Sequence, residues 1–267
     1  MSAVLQAETN EPILLKSVAA GVATLTLNRP GQFNSLSEEM LAELQATLDA
    51  IAADAAVRVV VIAGAGKAFC AGHDLKQMRA NHSKEYMQQL FRRCGKVMTT
   101  IAGLPQPVVA RIHGIATAAG CQLVAACDLA VAADVARFAV SGINVGLFCS
   151  TPAVALSRNM GRKQAMEMLL TGDFIDAAEA QRRGLVNRVV PLEQLDAELQ
   201  KLTDSICAKS APAVAMGKQL FYRQLEMGLD GAYQLAVETM ACNMMCEDAG
   251  AGIDAFMQKR KPEWVHR

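Results

Sequence analysis

The chain has 267 residues, 52% hydrophobic but only 4% aromatic, so its core must be built from Ala, Val, Leu, Ile and Met. That length suffices for one large domain with or without a small appendage. Lys plus Arg and Asp plus Glu both number 26, and the balance excludes the broad basic field that nucleic acid or an anionic membrane surface requires.

Met1 to Pro12 holds neither an apolar h-region nor an Arg-rich amphipathic pattern, so no secretory or transit segment is expected. Ile13–Ser17 and Val22–Leu27 predict a hairpin turning at Ala20-Gly21. Asn28-Arg29-Pro30-Gly31 breaks the second strand. Ser37 predicts a helix N-cap with Glu38 and Glu39 near the positive dipole end. Met40, Leu41, Leu44, Leu48 and Ile51 then repeat at helical spacing. Val57–Ala63 predicts a buried strand with parallel neighbours. A second unit follows as a strand at Val108–Ile112, then His113-Gly114, then a helix from about Ala118. A third starts as a strand at Leu129–Ala132 that continues through Phe138. Such recurring units predict a wound α/β core. The Ala/Val-rich run from Ala118 to Ala133 is interrupted by Gln122 and Asp128, so it is no membrane span.

From Leu192 the pattern is helical, with Leu195, Leu199, Leu202 and Ile206 on one stripe. Pro212 opens another helix carrying Leu220, Leu225, Met240, Met244 and Met245. The expected organisation is a core over 1–195 and a helical region over 196–267. Its Met stripe predicts packing or a subunit interface rather than a cofactor site. The eight cysteines contain no Cys-x-x-Cys pair and no zinc-finger spacing, so no metal is expected. They predict reduced, mostly buried thiols and a cytoplasmic location.

Three segments point to chemistry. In Lys67-Ala68-Phe69-Cys70-Ala71-Gly72-His73-Asp74-Leu75, small residues let the chain turn so that the His73 N–H can face a pocket. In His113-Gly114-Ile115-Ala116-Thr117-Ala118-Ala119-Gly120-Cys121-Gln122-Leu123, small residues run into a helix start whose free N–H groups can face a ligand. In Phe138-Ala139-Val140-Ser141-Gly142-Ile143-Asn144-Val145-Gly146-Leu147, a strand leaves into a loop.

These segments resemble the two signatures of the enoyl-CoA hydratase/isomerase (crotonase) family. Leu27-Asn28-Arg29-Pro30, Asn34-Ser35-Leu36, Cys127-Asp128-Leu129-Ala130, Gly184-Leu185-Val186 and Ala255-Phe256-Met257-Gln258-Lys259-Arg260-Lys261-Pro262 match other parts of the family pattern in order. The resemblance implies a ClpP-like spiral of ββα units with C-terminal helices that organise trimers, often stacked as hexamers. It implies an acyl-CoA thioester as substrate or ligand, with no further cofactor. The N–H groups of His73 and Ala119 would form an oxyanion hole, in which each fixed donor is worth about a hundredfold or more in rate. Arg29, Ala71, Asp74, Leu75, Phe256 and Lys259 would contact the CoA ester, Lys259 at the nucleotide phosphate. The resemblance also allows Phe256 and Lys259 to act at the pocket of a neighbouring subunit.

The family's hydratases use two glutamates, which here are Gln122 and Gly142. Neither replacement exchanges a proton at neutral pH, and losing one acid or base costs roughly 10²–10⁴-fold. Weak classical hydration is therefore expected. Ser150 stands near the position of the dienoyl isomerases' additional acid. His73, Asp74, Asn144, Cys149 and Ser150 are the remaining polar candidates. The ring of His73 either serves the reaction directly or leaves that to its N–H. Cys149 is either a nucleophile or an inert buried thiol. Asp74 reads as a turn anchor and His113 as a loop-holding residue. The combination of Ala119-Gly120-Cys121-Gln122-Leu123 with the segment from Gly142 to Pro152 resembles a branch called the enoyl-CoA-hydratase-domain-containing proteins, mitochondrial in animals. The alternatives to weak hydration are thioester hydrolysis, decarboxylation or acyl-CoA binding without catalysis.

Overall fold

The computed structural model describes residues 11–267, so nearly all of the leader reading over Met1 to Pro12 lies outside the described residues. Strands β1 (Leu14–Ala19) and β2 (Val22–Leu27) pair antiparallel in the expected hairpin. Ala20 and Gly21 take φ of 49° and 80°, the paired left-handed conformations that fit a tight turn to the strand twist. Helix α1 (Glu38–Ala52) starts at Ser37, whose hydroxyl accepts from the Met40 N–H. Its buried face is Met40, Leu41, Leu44, Leu48 and Ile51, as their spacing predicts.

The chain then winds through repeated units. β3 (Val59–Gly64) joins a large sheet, β4 (Ala68–Cys70) a small one, and α2 (Leu75–Ala80) and α3 (Lys84–Gly103) follow. The next unit is β5 (Val108–Ile112), β6 (Ile115–Thr117) and α4 (Ala119–Ala126). After it come β7 (Leu129–Ala133), β8 (Arg137–Ala139), α5 (Ser150–Asn159) and α6 (Arg162–Thr171). β9 (Ile175–Asp176), α7 (Ala177–Arg182) and β10 (Arg188–Val190) complete the spiral. The large sheet runs β1-β2-β3-β5-β7-β10 and the small sheet β4-β6-β8-β9. Each new unit advances one strand in both sheets. β4 and β6 therefore pair in parallel, with Cys70 opposite Ala116, and the loops that leave their C-terminal ends lie side by side.

Several sequence expectations change here. The strand from Leu129 does not continue through Phe138. It ends at Ala133, turns with the Ala136 N–H donating to the Ala133 carbonyl at 3.0 Å, and restarts as β8 in the other sheet. Between His113-Gly114 and α4 stands β6, too short to show a period. The helix from Pro212 stops at Gln224, and Gly228 caps a separate helix.

The main core lies between the sheets and α1, α3 and α4. On the other side of the large sheet, Val59, Val61, Val109 and Val131 pack against Leu195 and Leu202 of α8 (Leu195–Cys207). By its packing α8 belongs with the sheet. α9 (Ala211–Gln224), α10 (Leu229–Met244) and α11 (Glu247–Met257) lie beyond it. No side chain of α10 is fully buried, and Tyr233, Val237, Met240 and Met245 are exposed. Met240 and Met245 of the Met stripe therefore stay largely uncovered by this chain. All eight cysteines are free and five are buried. Among the described residues no helix is long and apolar enough to cross a membrane.

Candidate functional site

The loops after β4 and β6 converge at glycine and alanine. Gly72 has φ +91°, and a Cβ built on it would stand 2.8 Å from the Ala118 Cβ and 3.1 Å from the Ala119 nitrogen. Only glycine permits that approach. Ala118 itself takes φ 50° and ψ −122°, a conformation that costs a non-glycine residue of order 1–3 kcal/mol. This turn starts α4 at Ala119 and leaves the first N–H groups without intrahelical partners. Among the described residues neither His73 nor Ala119 donates its N–H in a turn, loop or cap hydrogen bond. Replacing Ala118 with glycine is expected to raise the unfolding free energy by about 1 kcal/mol by relieving the strain. Denaturant unfolding measures it, and a loss of stability would show that the turn is unstrained.

Both loops open on a cavity of about 310 Å³. Ala71, His73, Leu75, Ala119, Gly142 and Cys149 all line it, together with Met78, Phe91, Ser141, Val145, Leu147 and Phe148 among others. With Ser150, which also lines it, the spiral thus brings seven of the sequence-selected residues together. Asp74 is not in the wall. It caps α2, its carboxylate accepting from the N–H groups of Lys76 at 3.0 Å and Gln77 at 3.1 Å, which is the anchoring role expected of it. Arg29 is outside the wall and donates to the Ser37 hydroxyl at 2.9 Å. His113 bonds the Gly66 carbonyl at 2.9 Å and holds that loop. Phe256 is 85% exposed on α11, beside Gly252 and Trp264. Lys259 follows α11 at φ 54°, also exposed. Neither reaches the cavity of its own chain.

The ring of His73 stacks at a tilt on Phe91, with centroids 5.4 Å apart. Its Nδ1 lies 3.3 Å from the Leu36 carbonyl, and its buried Nε2 has no partner. If Nδ1 carries the proton, Nε2 is the acceptor. Burial lowers the imidazole from its usual 6.5, and the Leu36 carbonyl opposes this only in part. Between that lowered value and 6.5 the folded chain holds fewer protons on His73 than the unfolded chain. Its contribution to stability is therefore complete above 6.5 and is lost as the pH falls through that window. An NMR titration is expected to place the His73 midpoint below 6.5, and a midpoint at or above it would contradict the burial.

Gln122 sits one turn into α4 on the face of Ala119. It is 4% exposed and its Oε1 has no partner, yet it is not in the cavity wall. Cys149 precedes α5 as its cap residue and is buried. Burial pushes its thiol up, while a hydrogen bond with the Gly142 backbone acts the other way. A mostly protonated thiol is a poor nucleophile. Asn144 reaches the Gly172 carbonyl only at 3.5 Å, and Ser150 bonds the Phe148 carbonyl at 3.3 Å. Among the described residues no group of three or more His, Cys, Asp or Glu is placed to hold a metal.

Met78 and Phe91 come from α2 and α3, which the sequence reading passed over. Their signal was present in two caps, Asp74 and Ser83, and in Leu90, Cys94, Val97, Met98 and Ile101 at helical spacing.

A sequence model of the enoyl-CoA hydratase/isomerase family matches residues 17–267. The mitochondrial enoyl-CoA hydratase domain-containing protein 3 of Xenopus laevis is 46% identical over 255 residues, which cover 96% of this chain and 87% of that protein. The human protein of the same name is 45% identical over 246 residues, covering 92% of this chain and 81% of its own length. A solved enoyl-CoA hydratase of Mycobacterium smegmatis is 62% identical with a TM-score of 0.94, covering 95% of this chain and 99% of its own. The structure of human enoyl-CoA hydratase domain-containing protein 3 superimposes with a TM-score of 0.92 at 43% identity, covering 95% of this chain and all of that one. The family and the branch expected from the motifs are those matched. The expected cytoplasmic location does not stand, because the frog and human relatives are named mitochondrial. Reduced buried thiols separate reducing from oxidising compartments and cannot separate one reducing compartment from another.

Proposed function

The chain belongs to the enoyl-CoA hydratase/isomerase family, and from that premise we propose that it binds an acyl-CoA thioester with the thioester oxygen between the N–H groups of His73 and Ala119. One observation carries this reading: two backbone donors without a turn, loop or cap partner among the described residues converge at the head of a mainly apolar cavity. Such donors stabilise the negative charge that grows on the oxygen of an enolate-like thioester, and they need no reorganisation to do so. Classical hydration is weak, because among the described residues no carboxylate lines the cavity and Gln122 and Gly142 stand where the glutamates would be. Hydration of crotonyl-CoA is expected to fall at least 10²-fold below a hydratase of this family carrying both glutamates. Turnover comparable to that control would refute the reading, and failure to bind any CoA ester would remove its basis.

A specific observation favours a second reading, other crotonase chemistry such as decarboxylation or thioester hydrolysis. The imidazole of His73 is neutral, lines the cavity and has an unpaired Nε2. A mass-spectrometric screen of acyl-CoAs tests it. Any turnover found should be lost in His73→Ala, and turnover unchanged in that variant would remove the ring from the mechanism.

The exposed apolar face of α10 and the distance of Phe256 and Lys259 from their own cavity support a trimer, alone or stacked as a hexamer, with each C-terminal region reaching a neighbour. Light scattering is expected to give three or six times the 28.5 kDa chain mass. A monomer would leave this face unexplained.

A further inference from the structure

The rim of the cavity is unusual for a solvent-facing surface. Leu75 is 58% exposed and Val145 68% exposed, and Leu147 and Phe148 beside them are exposed as well. All four line the same cavity. Behind them the wall continues inward through Phe91 and the buried Met78. Two opposed elements supply these residues: the start of α2 with α3, and the segment that leaves β8 and runs to α5. A contiguous apolar rim that is continuous with an apolar cavity marks a ligand that covers it.

The cavity volume bounds that ligand. A methylene group fills roughly the share of a liquid water, about 30 Å³, so about 310 Å³ accommodates on the order of ten such groups. The thioester and the adjoining end of the CoA arm take a few of them. The rest is more than a two- or four-carbon acyl group can fill, and much less than a sixteen-carbon chain needs.

We propose, on the reading that the site binds acyl-CoA, that its preferred ligands are medium-chain acyl-CoA thioesters of about six to ten carbons. The inner methylenes lie against Met78 and Phe91, and the chain end covers the rim formed by Leu75, Val145, Leu147 and Phe148. Nothing charged faces the chain along this path: the titratable side chains of the wall are the neutral His73 and the protonated Cys149. An unsubstituted hydrocarbon therefore suits the path better than a carboxylated acyl group.

The test is calorimetric titration of the full-length protein with free CoA and with acetyl-, butyryl-, octanoyl- and palmitoyl-CoA. Each methylene buried contributes about fourfold in affinity, so octanoyl-CoA is expected to bind on the order of a hundredfold tighter than butyryl-CoA. Palmitoyl-CoA is expected to bind no tighter than octanoyl-CoA. Val145→Asp, at an exposed position on the rim, is expected to weaken octanoyl-CoA by a larger factor than acetyl-CoA. Equal affinity for butyryl- and octanoyl-CoA would overturn the proposal while leaving acyl-CoA binding intact. A large further gain with palmitoyl-CoA would overturn the length assigned. A Val145→Asp variant that changes assembly mass but not octanoyl affinity would make the rim a subunit contact and also overturn it. Absence of binding by every CoA ester would instead defeat the underlying reading of the site.

Discussion

Lys218→Met is expected to lower the unfolding free energy by about 3–5 kcal/mol and to loosen α9 from the rest of the chain. Lys218 lies in the middle of α9, buried although charged. Its ammonium donates to the Asp128 carboxylate at 2.6 Å and to the carbonyls of Ile101 at 2.8 Å and Gln106 at 2.9 Å. Asp128 in turn accepts from the Val108 N–H at 2.6 Å and the Tyr222 hydroxyl at 2.8 Å. One ion pair thereby fastens α9 to the end of α3, the start of β5 and the start of β7. Burial lowers the Lys218 ammonium, and Asp128 counters that shift. It likewise pushes the Tyr222 phenol up, with Asp128 adding to the effect. Methionine fills the volume but leaves the Asp128 charge and two carbonyls without their donor, which is the costly half of a buried pair. A second change, Lys218→Met with Asp128→Asn, is expected to recover part of the loss by removing the orphaned charge. Urea unfolding with both variants measures the effect. A loss under about 1 kcal/mol for the single change would show that the pair adds nothing beyond its packing.

The second large effect concerns an attempt to rebuild a hydratase. Gln122→Glu with Gly142→Glu is expected to gain no hydration and to lose stability by a few kcal/mol. A Cβ at position 142 would stand 2.6 Å from the Leu147 carbonyl oxygen and 2.7 Å from the Cys149 sulfur. The Cys149 thiol could be made smaller, but the Leu147 carbonyl is backbone. It belongs to a turn closed by the Leu147 N–H on the Gly142 carbonyl at 3.0 Å. The segment from Gly142 to Cys149 has folded over the space a side chain would occupy. Restoring the residue does not restore the room, and the loop must move first. Gln122→Glu is different, because Gln122 already has a side chain of the right size. There a carboxyl replaces an amide whose Oε1 has no partner, and burial without a cation keeps it protonated. Crotonyl-CoA hydration and melting temperature of both variants decide the matter. A double variant that folds normally and hydrates tenfold faster than Gln122→Glu alone would show that the loop yields.

Much of this protein was legible in its residues. The hairpin at Ala20-Gly21, the cap at Ser37 and the buried stripe of α1 follow from local rules, because turn conformation, capping and a 3.6-residue period act within a few residues. The signature loops showed where two donors and a helix start would be, because small residues are needed wherever backbones meet. The loss of both glutamates was also plain. Short strands such as β6 and β8 were not legible, because three residues carry no period. They exist only because a neighbouring strand completes them. α3 was missed although its caps and spacing were present.

Only the tertiary structure decided the rest. It set Asp74 apart from the cavity as a cap and kept Gln122 behind the wall. It filled the side-chain space of Gly142 with the Cys149 sulfur and the Leu147 carbonyl. It joined Lys218 to Asp128 across 90 positions. The sequence by itself determined which groups exist and what each backbone segment can adopt. Which of those groups face one another, how deeply each is buried and how much space remains between them arise from packing residues far apart in the chain, and those quantities decide what chemistry the site can perform.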